Sequence, residues 1–86
     1  MTRVIVPTHL RSYTGGAATV DANGDTLADV LDHLDVRFPG LRFRVVDEQG
    51  RIRPHIKFFV DSELTHSLDA AVSEATVQIV AALSGG

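Results

Sequence analysis

One segment of this 86-residue chain has the spacing of a helix, and most of what surrounds it has the spacing of strands. Leu27, Val30, Leu31, Leu34 and Phe38 recur at intervals that place all five on one stripe of an amphipathic helix. Asp25 or Thr26 can cap its first N–H groups, and Thr26 with Asp29 three residues later resembles a capping box with a shorter acid. Pro39-Gly40 ends it. A domain of this size builds one core, burying roughly 60 to 68% of its unfolded surface. The stripe therefore needs a partner surface, and the strand-like segments on both sides are the available supply.

From Arg3 to Leu10 the chain alternates, with Val4, Val6, Thr8 and Leu10 on one face and Arg3, Ile5, Pro7 and His9 on the other. This predicts a first strand in which Pro7 marks a bulge or a local edge. Tyr13-Thr14-Gly15-Gly16 signals a turn, and Ala17 to Ala22 follows as a second strand, making a hairpin. After the helix, Leu41 to Asp47 alternates weakly and reads as a third strand, turned by Glu48-Gln49-Gly50-Arg51. Ile56 to Val60, rich in β-branched and aromatic residues, is a fourth. Asp61 to Ala75 has no clear period, though Leu64, Leu68, Ala71 and Val72 could line a helical turn or a coil packed on the core. A last strand begins near Thr76 and runs toward Leu83. The order predicts an α+β domain over residues 1–83, with a mixed sheet packed on one main helix in the ubiquitin-like, or β-grasp, arrangement.

Composition narrows the function. The net charge is −3 and the basic residues are scattered, so nucleic acid is not an expected partner. Arg42, Arg44, Arg51, Arg53 and Lys57 form the densest cationic stretch, which allows a local positive patch and reads more simply as a solvated strand edge. No apolar run approaches the ~20 residues needed to cross a bilayer, and Met1 to Pro7 lacks the pattern of a signal peptide, so the cytoplasm is the expected location. The chain has no cysteine, which removes disulfides, thiolate metal sites and a cysteine nucleophile. His9, His33, His55 and His66 lack metal-ligand spacing, and no serine lies in a nucleophile-elbow context. Asp29, Asp32 and Asp35 fall on the helix exterior, where solvent is their simplest environment. No catalytic side chain, bound cofactor or metal is expected.

The remaining feature is Ser84-Gly85-Gly86, read as a flexible tail over 84–86. Two residues without side chains form a thin strip of backbone that can enter a narrow active site. Three extended residues reach about 10 Å. Simple fraying of a chain end is the alternative.

Set together, these residues resemble the ThiS/MoaD family of ubiquitin-like sulfur carrier proteins, and within it the CysO-like branch associated with cysteine biosynthesis. Val6-Pro7-Thr8-His9-Leu10-Arg11-Ser12-Tyr13-Thr14-Gly15-Gly16 is similar to that branch's first strand and turn, and Gly24-Asp25-Thr26-Leu27 to the start of its helix. Ile56-Lys57-Phe58-Phe59-Val60-Asp61 is similar to the family's fourth strand, and Gly85-Gly86 to its tail. Two positions depart from it: Ala81-Ala82-Leu83 where many members carry Pro shortly before the tail, and Ser62 where many have Gly. The resemblance implies a carrier rather than an enzyme. It further implies a cycle in which an ATP-consuming partner similar to ubiquitin-activating enzymes adenylates the Gly86 carboxylate. Sulfur then displaces AMP to leave a thiocarboxylate, which a cysteine-synthase-like acceptor enzyme uses. A MoaD-like role in molybdopterin synthesis, a protein modifier conjugated through Gly86 and a plain interaction domain remain open at this point.

A carrier must also dock. Thr76 and Gln78 mark the outward face of the last strand, which Val80 and Ala82 share; Lys57 marks the outward side of strand four with Phe59, and Arg3 that of strand one with Ile5. The pattern predicts an exposed apolar patch of Ile5, Phe59 and Val80 beside the tail, as a partner surface. A covering loop or a second subunit would be the other use of such a patch.

Overall fold

A computed structural model describes residues 1–82, and the expected tail residues Ser84, Gly85 and Gly86, with the expected 83/84 boundary, lie outside them. Five strands form one sheet: β1 (Thr2–Ile5), β2 (Thr19–Ala22), β3 (Ile56–Val60), β4 (Glu63–Thr65) and β5 (Thr76–Ala81). Their spatial order is β2-β1-β5-β3-β4. β1 and β5 run parallel at the centre, and the other three pairings are antiparallel. The sheet is mixed, as expected of a β-grasp domain.

Helix α1 (Leu27–Arg37) supplies the cover. Thr26 accepts a hydrogen bond from the Asp29 amide, and the Asp29 carboxylate accepts one from the Thr26 amide, so the capping box forms with the short acid. Leu27, Val30, Leu31 and Leu34 are buried in one cluster with Val4, Phe58, Val77 and Ile79, and Phe38 packs at its margin. Gly24 is required just before the helix. A Cβ there would stand 2.7 Å from the backbone nitrogen of Val30, closer than packed atoms approach.

Three segments differ from the sequence reading. The first strand stops at Ile5, and Thr8–Thr14 forms a 3-10 helix instead of continuing the alternation. Pro7, at φ −67° and ψ 153°, caps that helix and has no N–H to give to a ladder. Val4, Val6 and Leu10 are buried as the alternation requires, but Leu10 reaches the core from the 3-10 turn and Thr8 is exposed.

Leu41–Val45 is a short helix, α2, rather than a third strand. Leu41 and Val45 are both fully buried, one helical turn apart. Asp35 near the end of α1 accepts hydrogen bonds from the amides of Gly40 and Arg42, each at 3.1 Å, and so satisfies the exposed start of α2. Only Val46, just past α2, makes a β-bridge, to Ile52.

The segment after β3 contains a strand the sequence did not reveal. Val60-Asp61-Ser62-Glu63 turns in two residues, with φ of 48° at Asp61 and 72° at Ser62, and returns as β4. Two positive φ values in a two-residue loop suit the twist of a hairpin. Beyond β4 the chain is coil, pinned by Leu68 and Val72 against the core and by the Thr2 hydroxyl donating to the Val72 carbonyl at 2.7 Å.

Candidate functional site

The sheet has two faces, and α1 covers one of them. On the other, pairing register lines up Thr19, Ile5, Gln78, Phe59 and Leu64 in one row across all five strands. Directly paired residues share a face, so the row is continuous. Val80 pairs with Lys57 in the next row toward the end of β5. The structure thus brings Ile5, Phe59 and Val80 onto one surface around Gln78. All three are half-buried by their neighbours in the sheet, yet none packs against the core cluster, which takes Phe58, Val60, Ile79 and Ala81 instead. Phe59 points away from the helix stripe.

Two additions come from register alone. Gln78 lies between Ile5 and Phe59, giving the apolar patch a central amide. Leu64, 47% exposed, extends it across β4. The outward side of Gln78 was legible from alternation but its place between Ile5 and Phe59 was not, and Leu64 could not be placed in a sequence where β4 was not apparent.

The end of β5 borders this face. The Ala82 amide donates to the His55 carbonyl at 2.8 Å, which fixes where the chain leaves the sheet. A shallow cleft beside it is lined by Ile5, Pro7, His9 and Arg11 on one side and Gln78 and Val80 on the other. The apolar patch and the end of β5 therefore adjoin. A second cleft, which shares His9 with the first and includes Ala82, is lined by Phe43, Arg44, Arg53 and His55. Since Arg42 and Arg44 lie on α2, the cationic stretch is not a strand edge.

The helix acids also have more specific surroundings than open solvent. Asp29 completes the capping box, and Asp35 caps α2. Asp32 pairs with Arg42, Oδ1 to Nε at 3.0 Å, although the N–H is not aligned for a hydrogen bond. These are structural roles. Among the described residues no three His, Asp or Glu side chains gather as a metal site, and no helix is long and apolar enough to cross a membrane.

The sheet order and the helix packed on one face define a ubiquitin-like, β-grasp fold. The ThiS family model matches residues 4–86, and the chain belongs to that family. It is 33% identical to the sulfur carrier protein CysO of Mycobacterium tuberculosis over 89 residues, with 96% of each chain covered. Among solved structures, the complex of BexX and CysO from Amycolatopsis orientalis contains a chain similar to this one at TM-score 0.91 and 32% identity, covering 100% of both. SAMP1 from Haloferax volcanii is similar at TM-score 0.77 and 28% identity, covering 99% of this chain and 98% of that one.

Proposed function

We propose that the protein is a sulfur carrier whose chemistry takes place at the terminal carboxyl of Gly86, with sulfur directed toward cysteine. At neutral pH a free α-carboxyl is ionised, its ordinary pKa being about 3.3 to 3.7. A carboxylate resists nucleophiles and must be activated. A partner similar to ubiquitin-activating enzymes binds ATP, and the carboxylate oxygen attacks its α-phosphorus, releasing pyrophosphate. Hydrosulfide then attacks the acyl carbon. A C–S bond forms, the acyl C–O bond to AMP breaks, and a thiocarboxylate remains. A cysteine-synthase-like enzyme takes up that sulfur. ATP is consumed by the partner and no cofactor resides in the carrier; both reactions belong to the cytoplasm.

The observation that carries this proposal is the family match, which extends through Gly86, together with the CysO relatives named as sulfur carriers. The chain's own residues contribute recognition. Ile5, Phe59 and Val80 offer apolar contact around Gln78, and Gly85-Gly86 present no Cβ to a narrow channel. The absence of cysteine leaves no thiol within the carrier to capture its own activated acyl group.

Intact mass tests it. Incubation with the activating enzyme, ATP and sulfide is expected to raise the mass by the difference between one sulfur and one oxygen atom, and deletion of Gly86 to abolish the rise. No rise with the full chain would refute a thiocarboxylate carrier. Full biological activity without Gly86 would point to a plain interaction domain.

Similarity to the small archaeal modifier protein SAMP1 favours a second reading, conjugation to protein amines through Gly86. It predicts a ladder of conjugates in cell extract. Lys57, the only lysine, lies exposed on β3 and would be the sole side-chain attachment point for self-linked chains.

A further inference from the structure

Four elements meet around the cleft where β5 ends. His9 and Leu10 come from the 3-10 helix, Phe43 and Arg44 from α2, Arg53 and His55 from the loop before β3, and Ala82 closes it. Among the described residues no carboxylate lines it, in a chain whose net charge is −3. The ion pairs among the described residues involve the N-terminus, Arg42 and Arg51; Arg44 and Arg53 are in none of them.

One of these cations is held in place. Arg53 Nε donates to the Phe43 carbonyl at 2.7 Å, and its guanidinium carbon lies 4.5 Å from the centre of the Phe43 ring. Phe43 is nonetheless 53% exposed. The fold thus presents a fixed guanidinium beside an uncovered aromatic ring, with Arg44 and two imidazoles nearby.

We propose that this cleft receives an acidic segment of the protein that takes the tail, with carboxylates on Arg44 and Arg53 and an apolar side chain on Phe43. The partner's role rests on the carrier function above; the preference for acidic peptide does not. Two observations select this occupant. The cleft extends over about 530 Å³, room for several side chains rather than a single small anion. It also abuts Ala82, anchored to His55, so a protein engaging the tail passes directly beside it. The outer sheet face and the cleft would then divide the work. Apolar contact holds the complex, while local cations orient an acidic partner that the net charge would otherwise repel.

The test is a titration of the ¹⁵N-labelled full chain with poly-L-glutamate, followed by NMR, with poly-L-lysine and tripolyphosphate in parallel. Poly-L-glutamate is expected to shift the amides of Leu10, Arg44, Arg53 and His55. The shifts should disappear in about 0.5 M salt, where charges more than a few ångströms apart are screened, and should shrink in Arg44→Glu. Arg44 is exposed, so an otherwise unchanged spectrum will show that the variant folds. No shift, shifts confined to Ile5, Phe59 and Val80, or tighter binding of tripolyphosphate would overturn the proposal. With the activating enzyme, Arg44→Glu should raise KM for the carrier about tenfold at low salt and leave kcat unchanged; an unchanged KM would also overturn it. Absence of sulfur transfer in the unmodified chain would refute the carrier reading while the titration still decides the acidic-peptide preference.

Discussion

The two faces of the sheet use neighbouring residues of the same strands for opposite ends. Phe58 and Phe59 show it most directly: the first is fully buried under α1, and the second stands on the bare face beside Gln78. Along β5, Val77 and Ile79 enter the core while Gln78 and Val80 do not. The inner face is filled by large aliphatic residues and one phenylalanine. The outer face is a patchwork of apolar side chains around an amide and a lysine. Packing needs continuity, whereas reversible recognition needs an apolar area small enough to leave the free protein stable in water.

The difference makes graded predictions. Phe58→Ala is expected to cost about 3 to 5 kcal/mol in denaturant unfolding, because it empties a core site. Phe59→Ala should cost about 1 kcal/mol or less, as a surface change. Equal losses would erase the distinction between the faces. Next in size is Gly24→Ala, which forces a Cβ against the backbone at the start of the helix that covers the inner face. It should destabilise by about 1 to 3 kcal/mol, read from the same curves.

At the hairpin joining β3 to β4, Ser62→Gly should stabilise by about 0.5 kcal/mol. Relief of the positive φ there exceeds the added entropy of the unfolded chain. An unchanged or lower melting temperature would contradict it.

The smallest effect concerns Asp47. Amide hydrogen bonds from Arg51, and then Gln49, hold its carboxyl below the ordinary 3.8, aided by the charges of Arg51 and Arg53. The folded state thus favours the ionised form, which contributes stability above the ordinary value and loses it as pH falls through the lower folded one. The melting-temperature gap between the unmodified protein and Asp47→Asn should be present at neutral pH, begin to narrow below about pH 4 and close as pH falls through the lower folded value.

Legibility in the sequence followed the length and redundancy of each signal. Five apolar residues, a capping box and a Pro-Gly stop all agreed on α1, and Ile56–Val60 matched β3 residue for residue. Leu41–Val45 was ambiguous because Leu41, Phe43 and Val45 fit a strand while Leu41 and Val45 alone fit one helical turn. A carboxylate from α1, Asp35, favours the helix, and that contact is tertiary. β4 is three residues long and follows a turn without glycine, so neither cue was present. Ile5, Phe59 and Val80 could be grouped from alternation, since each strand carries a polar marker of its outward side. The cationic cleft was legible only in part: Arg44 and Arg53 belong to the densest cationic stretch, but only the fold brings His9, Leu10 and Ala82 beside them.

The most direct test of the division between the faces is a mass-resolved time course of thiocarboxylate formation with the activating enzyme, ATP and sulfide, comparing the unmodified chain with Phe59→Asp. The unmodified chain is expected to exchange one oxygen for sulfur, and the variant to do so at least about tenfold more slowly while melting within a few degrees of it. Equal rates in two equally folded proteins would contradict the assignment of the outer face to partner recognition.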